Sequence, residues 1–400
     1  MPNRIFAALL AAALLVLAAQ PSAADPKFEA FIQSLWPQAK TAGISRPVFD
    51  QAFAGITDPD PDVLKLAANQ PEFTSTTSQY LTKAVTQVRI DNGREMKVKQ
   101  ADTLASIEKR YHVDRHVLLA IWGIESDFGR DEGSMKVMRS LATLLYASNQ
   151  KDYAREQLIA ALKILQKGVV SPAKFTGSWA GAMGHTQFIP TSYLSYAVDW
   201  TGDGIKDIWG STSDALASTA NYLAKAGWKD DRPWGWEVTL PADFNKGLIG
   251  RWKWRPVSDW AKLGVKPARG GDFTAPQADA FIMVPQGLDG PKFLVTRNFI
   301  IIMDYNQSHS YALAVCHLGD RIRGDGPFVA PWPDVKYDLS FAQRVEMQKL
   351  LYRSGFDPGG TDGRIGARTY EAILGFQKKS GIGLDGLPSP ALLERLRKAS

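Results

Sequence analysis

The sequence predicts an α+β fold, mainly helical: a large helical body, a small strand-rich insertion and a small helical C-terminal module. Three observations point there. From Lys27 to about Leu165, apolar residues recur at helical spacing in Ala-, Leu-, Lys- and Gln-rich segments with few Gly or Pro. Between residues 234 and 303, short apolar runs such as Trp236–Leu240, Phe281–Val284 and Phe299–Met303 alternate with Gly- and Pro-rich turns. Beyond the Pro-rich segment 324–333, which reads as a linker, helical spacing returns.

With 400 residues, 45% hydrophobic and 22% charged, the chain has the composition of a globular protein able to bury a core. Its 47 Lys and Arg against 41 Asp and Glu give a net charge of +6, spread without a dense cluster. That balance suits an anionic envelope polymer better than nucleic acid, and no nucleic-acid partner is expected. The single cysteine, Cys316, excludes an intramolecular disulfide framework and a cysteine-rich metal site. It shares an apolar stripe with Leu313, Val315 and Leu318 in a helix expected from Tyr311 to Arg323, and reads as core.

Residues 1–24 carry a targeting pattern. Arg4 precedes an apolar run from Ile5 to Ala19, followed by Ser22-Ala23-Ala24, which predicts a secretory signal cut after Ala24. The alternative is a retained N-terminal anchor. The run is shorter than the ~20 residues that span a membrane, and no later stretch is longer, so no stable span is expected after cleavage. No cysteine follows it, which argues against a lipoprotein. The expected parts are then a body at 25–323, a linker at 324–337 and a module at 338–398.

Glu125 is the strongest chemical candidate. Asp114 is placed to cap a helix in which Val117, Ile121 and Ile124 share one face. Glu125 ends this apolar run, just before the breaking sequence Ser126-Asp127-Phe128-Gly129. Apolar surroundings and the negative end of a helix dipole both disfavour a carboxylate there, as a general acid for glycosidic cleavage requires. Glycosidases ordinarily flank the bond with two carboxylates. Here Asp127 lies at i+2, off the same face, Asp131 and Glu132 follow a glycine, and the loop 178–190 holds no acid. One well-framed acid without a partner favours substrate assistance by the sugar's own N-acetyl group.

Asp199-x-Thr201-x-Asp203-Gly204-Ile205-x-Asp207 matches the start of a calcium loop, with Ile205 at the carbonyl position. Position 12 is Gly210 where a bidentate Glu belongs, and Asp214 is the nearest substitute. Two readings remain: a structural calcium or sodium site through Asp199, Thr201, Asp203, Ile205 and Asp214, or a metal-free loop of Asx turns. Neither gives the ion a part in the chemistry. His112 and His116 have zinc-like spacing without further ligands and read as solvated helix positions. His185, His309 and His317 belong to no nucleophile triad.

The C-terminal segment contains an internal echo. Asp362-Gly363 and Asp385-Gly386 are each a turn leading into a helix, with Leu350, Ile373 and Phe376 available for a shared core. With its Gln348–Leu351 helix, the element at 362–369 and Phe376-Gln377, this segment resembles the peptidoglycan-binding domain of wall hydrolases.

A second resemblance covers about residues 27–323. Ile-Glu-Ser-Asp-Phe-Gly (124–129), Ala-Gly-Ala-Met-Gly-x-x-Gln-Phe-Ile-Pro (180–190), Asp-Ala-Leu-Ala-Ser-x-Ala-Asn-Tyr (214–222) and Tyr-Asn (305–306) with Tyr311 resemble the lytic murein transglycosylase B family. The resemblance implies a lysozyme-like, periplasmic enzyme acting on peptidoglycan glycan strands, with no cofactor required for the chemistry. It implies that Glu125 acts as acid and then base, closing a 1,6-anhydro ring. It further implies a groove lined by Ser178, Met183, Gln187, Phe188, Tyr222, Tyr305, Asn306 and Tyr311; the alternative is a place in the core for Met183 and Phe188 and a packing role for Tyr305 and Tyr311. Family members also use an acid at the Asp214 position of the calcium loop, although the spacing here is one residue longer. A hydrolytic muramidase and a non-catalytic wall-binding scaffold are the alternatives.

Overall fold

The computed structural model describes residues 25–68, 75–148, 150–251, 253–334, 339–363 and 365–399; the targeting segment and the end of the linker lie outside the described residues. At the centre of the body is the helix Arg115–Ser126. Its start is the expected one: the Asp114 carboxylate accepts the His116 N–H at 2.7 Å. Its burial is not one-sided, however. Residues 117–123 are all buried, and only Ile124 and Glu125 come partly into the open at the C-terminal end. A helix apolar all round belongs inside a core. It packs closely on His309–Arg323, where a Cβ on Gly319 would lie only 3.2 Å from the His116 carbonyl. Cys316 is buried in this contact, as expected, and burial pushes its thiol well up.

The chain leaves the helix through three consecutive left-handed residues, Asp127 (φ 48°), Phe128 (φ 61°) and Gly129 (φ 81°). Two of these are not glycine, each at a cost of about 1–2 kcal/mol. The Phe128 ring offsets that cost by folding back against Trp122, centroids 5.5 Å apart at 80°. It fits because Gly93 and Gly123 carry no side chain: a Cβ on Gly123 would sit 2.6 Å from the ring. Glu125 is thereby held at an abrupt chain reversal.

A second helical layer joins Pro26–Ser34 and Arg46–Phe53 to Val137–Ala147 and Lys151–Gln166 around an apolar core containing Phe28, Phe49 and Leu141. Strands β1 (Met135–Lys136) and β2 (Thr176–Gly177) pair antiparallel beneath the loop 178–190. The strand-rich insertion is a five-stranded antiparallel sheet. Its strands are β3 (Gly235–Thr239), β4 (Arg255–Pro256), β5 (Lys266–Pro267), β6 (Asp279–Met283) and β7 (Lys292–Thr296), in the order β4-β6-β7-β3-β5.

The run Phe299–Met303, expected as a strand, is instead part of the helix Arg297–Tyr305. Its β-branched residues read as a strand, but Thr296 ends β7 and caps the helix by accepting the Asn298 N–H at 3.2 Å. Phe299, Ile301, Ile302 and Met303 then all reach the core, so tertiary burial overrides local propensity.

In the C-terminal module, Leu350, Ile373 and Phe376 share one core, and the sequence echo has a physical basis. The buried Gln348 side chain accepts the Gly363 N–H (2.7 Å) and donates to Asp362 (3.3 Å). Gln377 repeats the clamp, accepting the Gly386 N–H (2.9 Å) and donating to Asp385 (2.5 Å). The described part of the linker is strapped to the body rather than hanging free. The Glu237 carboxylate accepts the Val329 and Ala330 N–H groups at 2.7 Å each, and Phe328 stacks on His317 at 3.9 Å.

Gly123→Ala is expected to destabilise the protein by about 1–2 kcal/mol, because overpacking against Phe128 outweighs the gain in helix propensity. Chemical denaturation checks this; a variant at least as stable as the parent would remove the slot from the explanation.

Candidate active site

The partly exposed Glu125 carboxyl meets a phenol from the neighbouring helix. The Tyr311 hydroxyl, on a side chain only 1% exposed, donates to Glu125 Oε1 at 2.5 Å. Ser308 sets this up by capping the helix: its hydroxyl accepts the Tyr311 N–H at 3.3 Å. Tyr305 stands nearby, and burial together with the Glu125 charge pushes both phenols well above their usual range, so both remain proton donors.

An aromatic cluster continues from this point. The Tyr222 and Tyr305 rings meet at 5.0 Å and 70°, and Phe188 lies 6.2 Å from Tyr222 and 6.0 Å from Tyr305. Hydroxyls fix the cluster: Tyr305 donates to the Thr186 carbonyl (2.6 Å) and Tyr222 to the Asp304 carbonyl (2.8 Å). Burial lifts the Tyr222 phenol to about 12.

The loop 178–190 holds itself in shape. Ser178 closes its first turn by accepting the Ala182 N–H at 3.0 Å, and Met183 and Phe188 exchange both backbone hydrogen bonds at 2.9 and 3.0 Å. Gln187 takes a left-handed conformation (φ 51°), and its amide donates to the carbonyls of Glu132 (2.9 Å) and Gly184 (3.0 Å). Of the expected groove residues, Ser178, Gln187, Tyr222, Tyr305 and Asn306 are partly exposed. Met183 is not: its side chain is wholly enclosed in the second core, so it supports the loop instead of lining an open surface. Phe188, 2% exposed, has the same supporting position.

A second carboxyl lies beside this loop. Glu132 Oε1 is 3.2 Å from His185 Nδ1, which also accepts the Trp122 indole N–H at 3.3 Å. Burial, reinforced by the Asp207 charge, raises Glu132 to about 7, and burial lowers His185. Both shifts disfavour the charged forms, so burial works against this contact as a salt bridge. Sequence reasoning missed it because Glu132 follows a glycine that leaves its direction open. The available signal was His185, the sole titratable side chain within the loop 178–190.

The calcium-loop residues form a network of Asx turns. Asp199 accepts N–H groups from Gly202 (2.7 Å), Asp203 (3.2 Å) and Gly204 (2.8 Å), and Asp203 accepts that of Ile205 (2.8 Å). The fully buried Asp214 accepts from Trp200 (3.0 Å), Thr201 (3.2 Å) and Asp207 (3.0 Å). Thr201 donates its hydroxyl back to Asp199 at 3.2 Å. Among the described residues no group of three or more His, Cys, Asp or Glu is placed to hold an ion. The two zinc-spaced histidines also fall apart: His112 ends one helix and pairs with Asp230, while His116 lies in the next on Asp114.

Comparison with known proteins shows the family. Residues 27–320 match the family described as transglycosylase SLT domain, and residues 342–396 match the putative peptidoglycan binding domain. The chain belongs to the SLT transglycosylase family. It is 30% identical over 272 residues to the membrane-bound lytic murein transglycosylase B of Escherichia coli K12, covering 65% of this chain and 73% of that protein. The crystal structure of SltB3 from Pseudomonas aeruginosa in complex with NAG-anhNAM-pentapeptide is 46% identical, with a TM-score of 0.84 over 92% of this chain and 99% of that one. The Escherichia coli lytic transglycosylase Slt35 in complex with calcium is 28% identical, with a TM-score of 0.60 over 75% of this chain and 93% of that one.

Two outcomes follow from this geometry. A carboxyl near 7 in the native state and near its usual value unfolded keeps a proton the unfolded chain has lost, so native stability falls as pH rises from about 4.5 to 7. Glu132→Gln is expected to flatten that decline in urea unfolding at several pH values; parallel curves would contradict it. Asp214→Ala strands three N–H donors and is expected to cost about 2–4 kcal/mol in the same experiment; a cost below about 1 kcal/mol would contradict it.

Proposed function

We propose that this chain is a lytic transglycosylase that cleaves the β-1,4 bond between MurNAc and GlcNAc in peptidoglycan and leaves 1,6-anhydroMurNAc ends. One observation carries the reading: a carboxyl at the end of a buried helix, held by a buried phenol beside an aromatic cluster, in a chain 46% identical to an enzyme crystallised with NAG-anhNAM-pentapeptide. Glu125 gives its proton to the glycosidic oxygen as the C1–O bond breaks, and the MurNAc N-acetyl group supports the positive charge at C1. The Glu125 carboxylate then takes the proton of the MurNAc 6-hydroxyl, and O6 bonds to C1. Atoms balance without water, and the carboxyl ends as it began. Ser178, Gln187, Tyr222, Tyr305 and Asn306 frame the sugar, Tyr311 holds Glu125 from beneath, and residues 342–396 bring the enzyme to the wall.

The same reading places the protein in the periplasm, released by cleavage near Ala24. No helix among the described residues is long and apolar enough to cross a membrane. The Asx-turn loop serves as scaffold and offers a site for a structural ion; a calcium-induced rise in melting temperature abolished by Asp203→Ala would show that ion, and an unmoved melting temperature would leave the loop metal-free.

Digestion of purified peptidoglycan followed by mass spectrometry of the fragments tests the reaction. Anhydro ends are expected; reducing ends would make the protein a hydrolase, and no cleavage would make it a binding scaffold. Glu125→Gln is expected to lose about 10²–10⁴-fold in rate. Glu132→Gln keeps the anhydro product, because its carboxyl is committed to His185; loss of product there would assign Glu132 the second catalytic role.

A further inference from the structure

Four consecutive residues open the helix His309–Arg323, and each is fixed by a different part of the protein. Ser308 caps the helix, and Ser310 shares a hydroxyl hydrogen bond with Thr77 at 3.0 Å. Tyr311 holds Glu125. The fourth, His309, is buried, and the ring lying on it comes from the C-terminal module: Tyr370 meets the imidazole edge-on at 5.7 Å and 81°. On its other side His309 stacks on Phe299 at 6.5 Å and 22°. Burial keeps the imidazole neutral, and its Nε2 has no hydrogen-bond partner among the described residues, so ring packing holds it in place.

Tyr370 is itself firmly set. Its hydroxyl donates to the Val284 carbonyl just beyond β6 at 2.5 Å. The second Asp-Gly turn backs its ring, with Gly386 (φ 68°) close enough that any side chain there would collide with it. Neighbours on the same module helix reinforce the docking: Leu374 joins the sheet's apolar core, and Glu371 accepts the Arg251 N–H at 3.2 Å. The module is therefore part of the body's packing and not only an appended wall anchor.

We propose that Tyr370 is a positioning residue for the reaction: docked on His309, it fixes the first turn of the His309–Arg323 helix and so holds Tyr311 on Glu125. This rests on the assignment of Glu125 as the acid and base. It gives the module a part in turnover that is independent of holding the wall. A glycan too short to engage the module should then still feel the loss of Tyr370.

The test uses the full-length protein and a soluble, uncrosslinked glycan oligomer as substrate. Tyr370→Ala is expected to lower kcat about tenfold or more with KM within twofold, and Tyr370→Phe, which keeps the ring on His309, to restore kcat to within about threefold. Leu374→Ala loosens the same interface without touching His309 and serves as the control for docking and folding, with near-ultraviolet circular dichroism recording the folded fraction. Wild-type kcat in Tyr370→Ala overturns the proposal. So does an equal loss in Leu374→Ala, or a loss that matches a fall in folded protein. Glu125→Gln measured alongside separates the two levels: if it stays active, the assignment of Glu125 fails, whereas an inactive Glu125→Gln beside a fully active Tyr370→Ala removes only the positioning role.

Discussion

The hydrogen bond from the Tyr311 hydroxyl to Glu125 is the contact on which the rest of the site depends. A phenol that is 1% exposed has given up water, and leaving its hydroxyl unpaired costs about 1–3 kcal/mol. Glu125 supplies the partner only if the helices Arg115–Ser126 and His309–Arg323 keep their register, and Gly319 allows that close approach. The left-handed turn after Ser126 and the Phe128 slot then fix where the carboxyl emerges. Stability and function share one constraint here. The packing that buries Tyr311 also places a proton donor on the acid.

Around that contact the protein uses polar groups mainly to hold loops in shape. Gln187 spends its amide on two carbonyls, Ser178 on a turn, Asp214 on three N–H groups and the two module glutamines on their Asp-Gly turns. Each such group would be costly if buried without partners. Loops fixed in this way need no reordering to receive a ligand, which is where much of the cost of binding otherwise lies.

Much of this was legible in the sequence, for physical reasons that differ by residue. Asp114 as a helix cap, Cys316 as core and the Leu350, Ile373 and Phe376 core follow from local pattern and composition, and the structure has them. What failed was what tertiary packing decides. Phe299–Met303 has strand chemistry but lies in a helix whose apolar residues find the core. Met183 lies inside a motif of groove residues, yet the loop turns its side chain inward. The Glu132–His185 pair joins residues 53 apart in the chain, beyond the reach of any local motif.

The most direct measurement is steady-state kinetics of Tyr311→Phe on soluble peptidoglycan glycan, with thermal unfolding measured in parallel. A hydrogen bond to a charged group contributes about 1.5–3 kcal/mol, which corresponds to roughly 10–100-fold in rate. The expected result is a kcat lower by that factor, with KM within about twofold and a folded protein. An unchanged kcat in a folded Tyr311→Phe variant would contradict the central role of the Tyr311–Glu125 hydrogen bond.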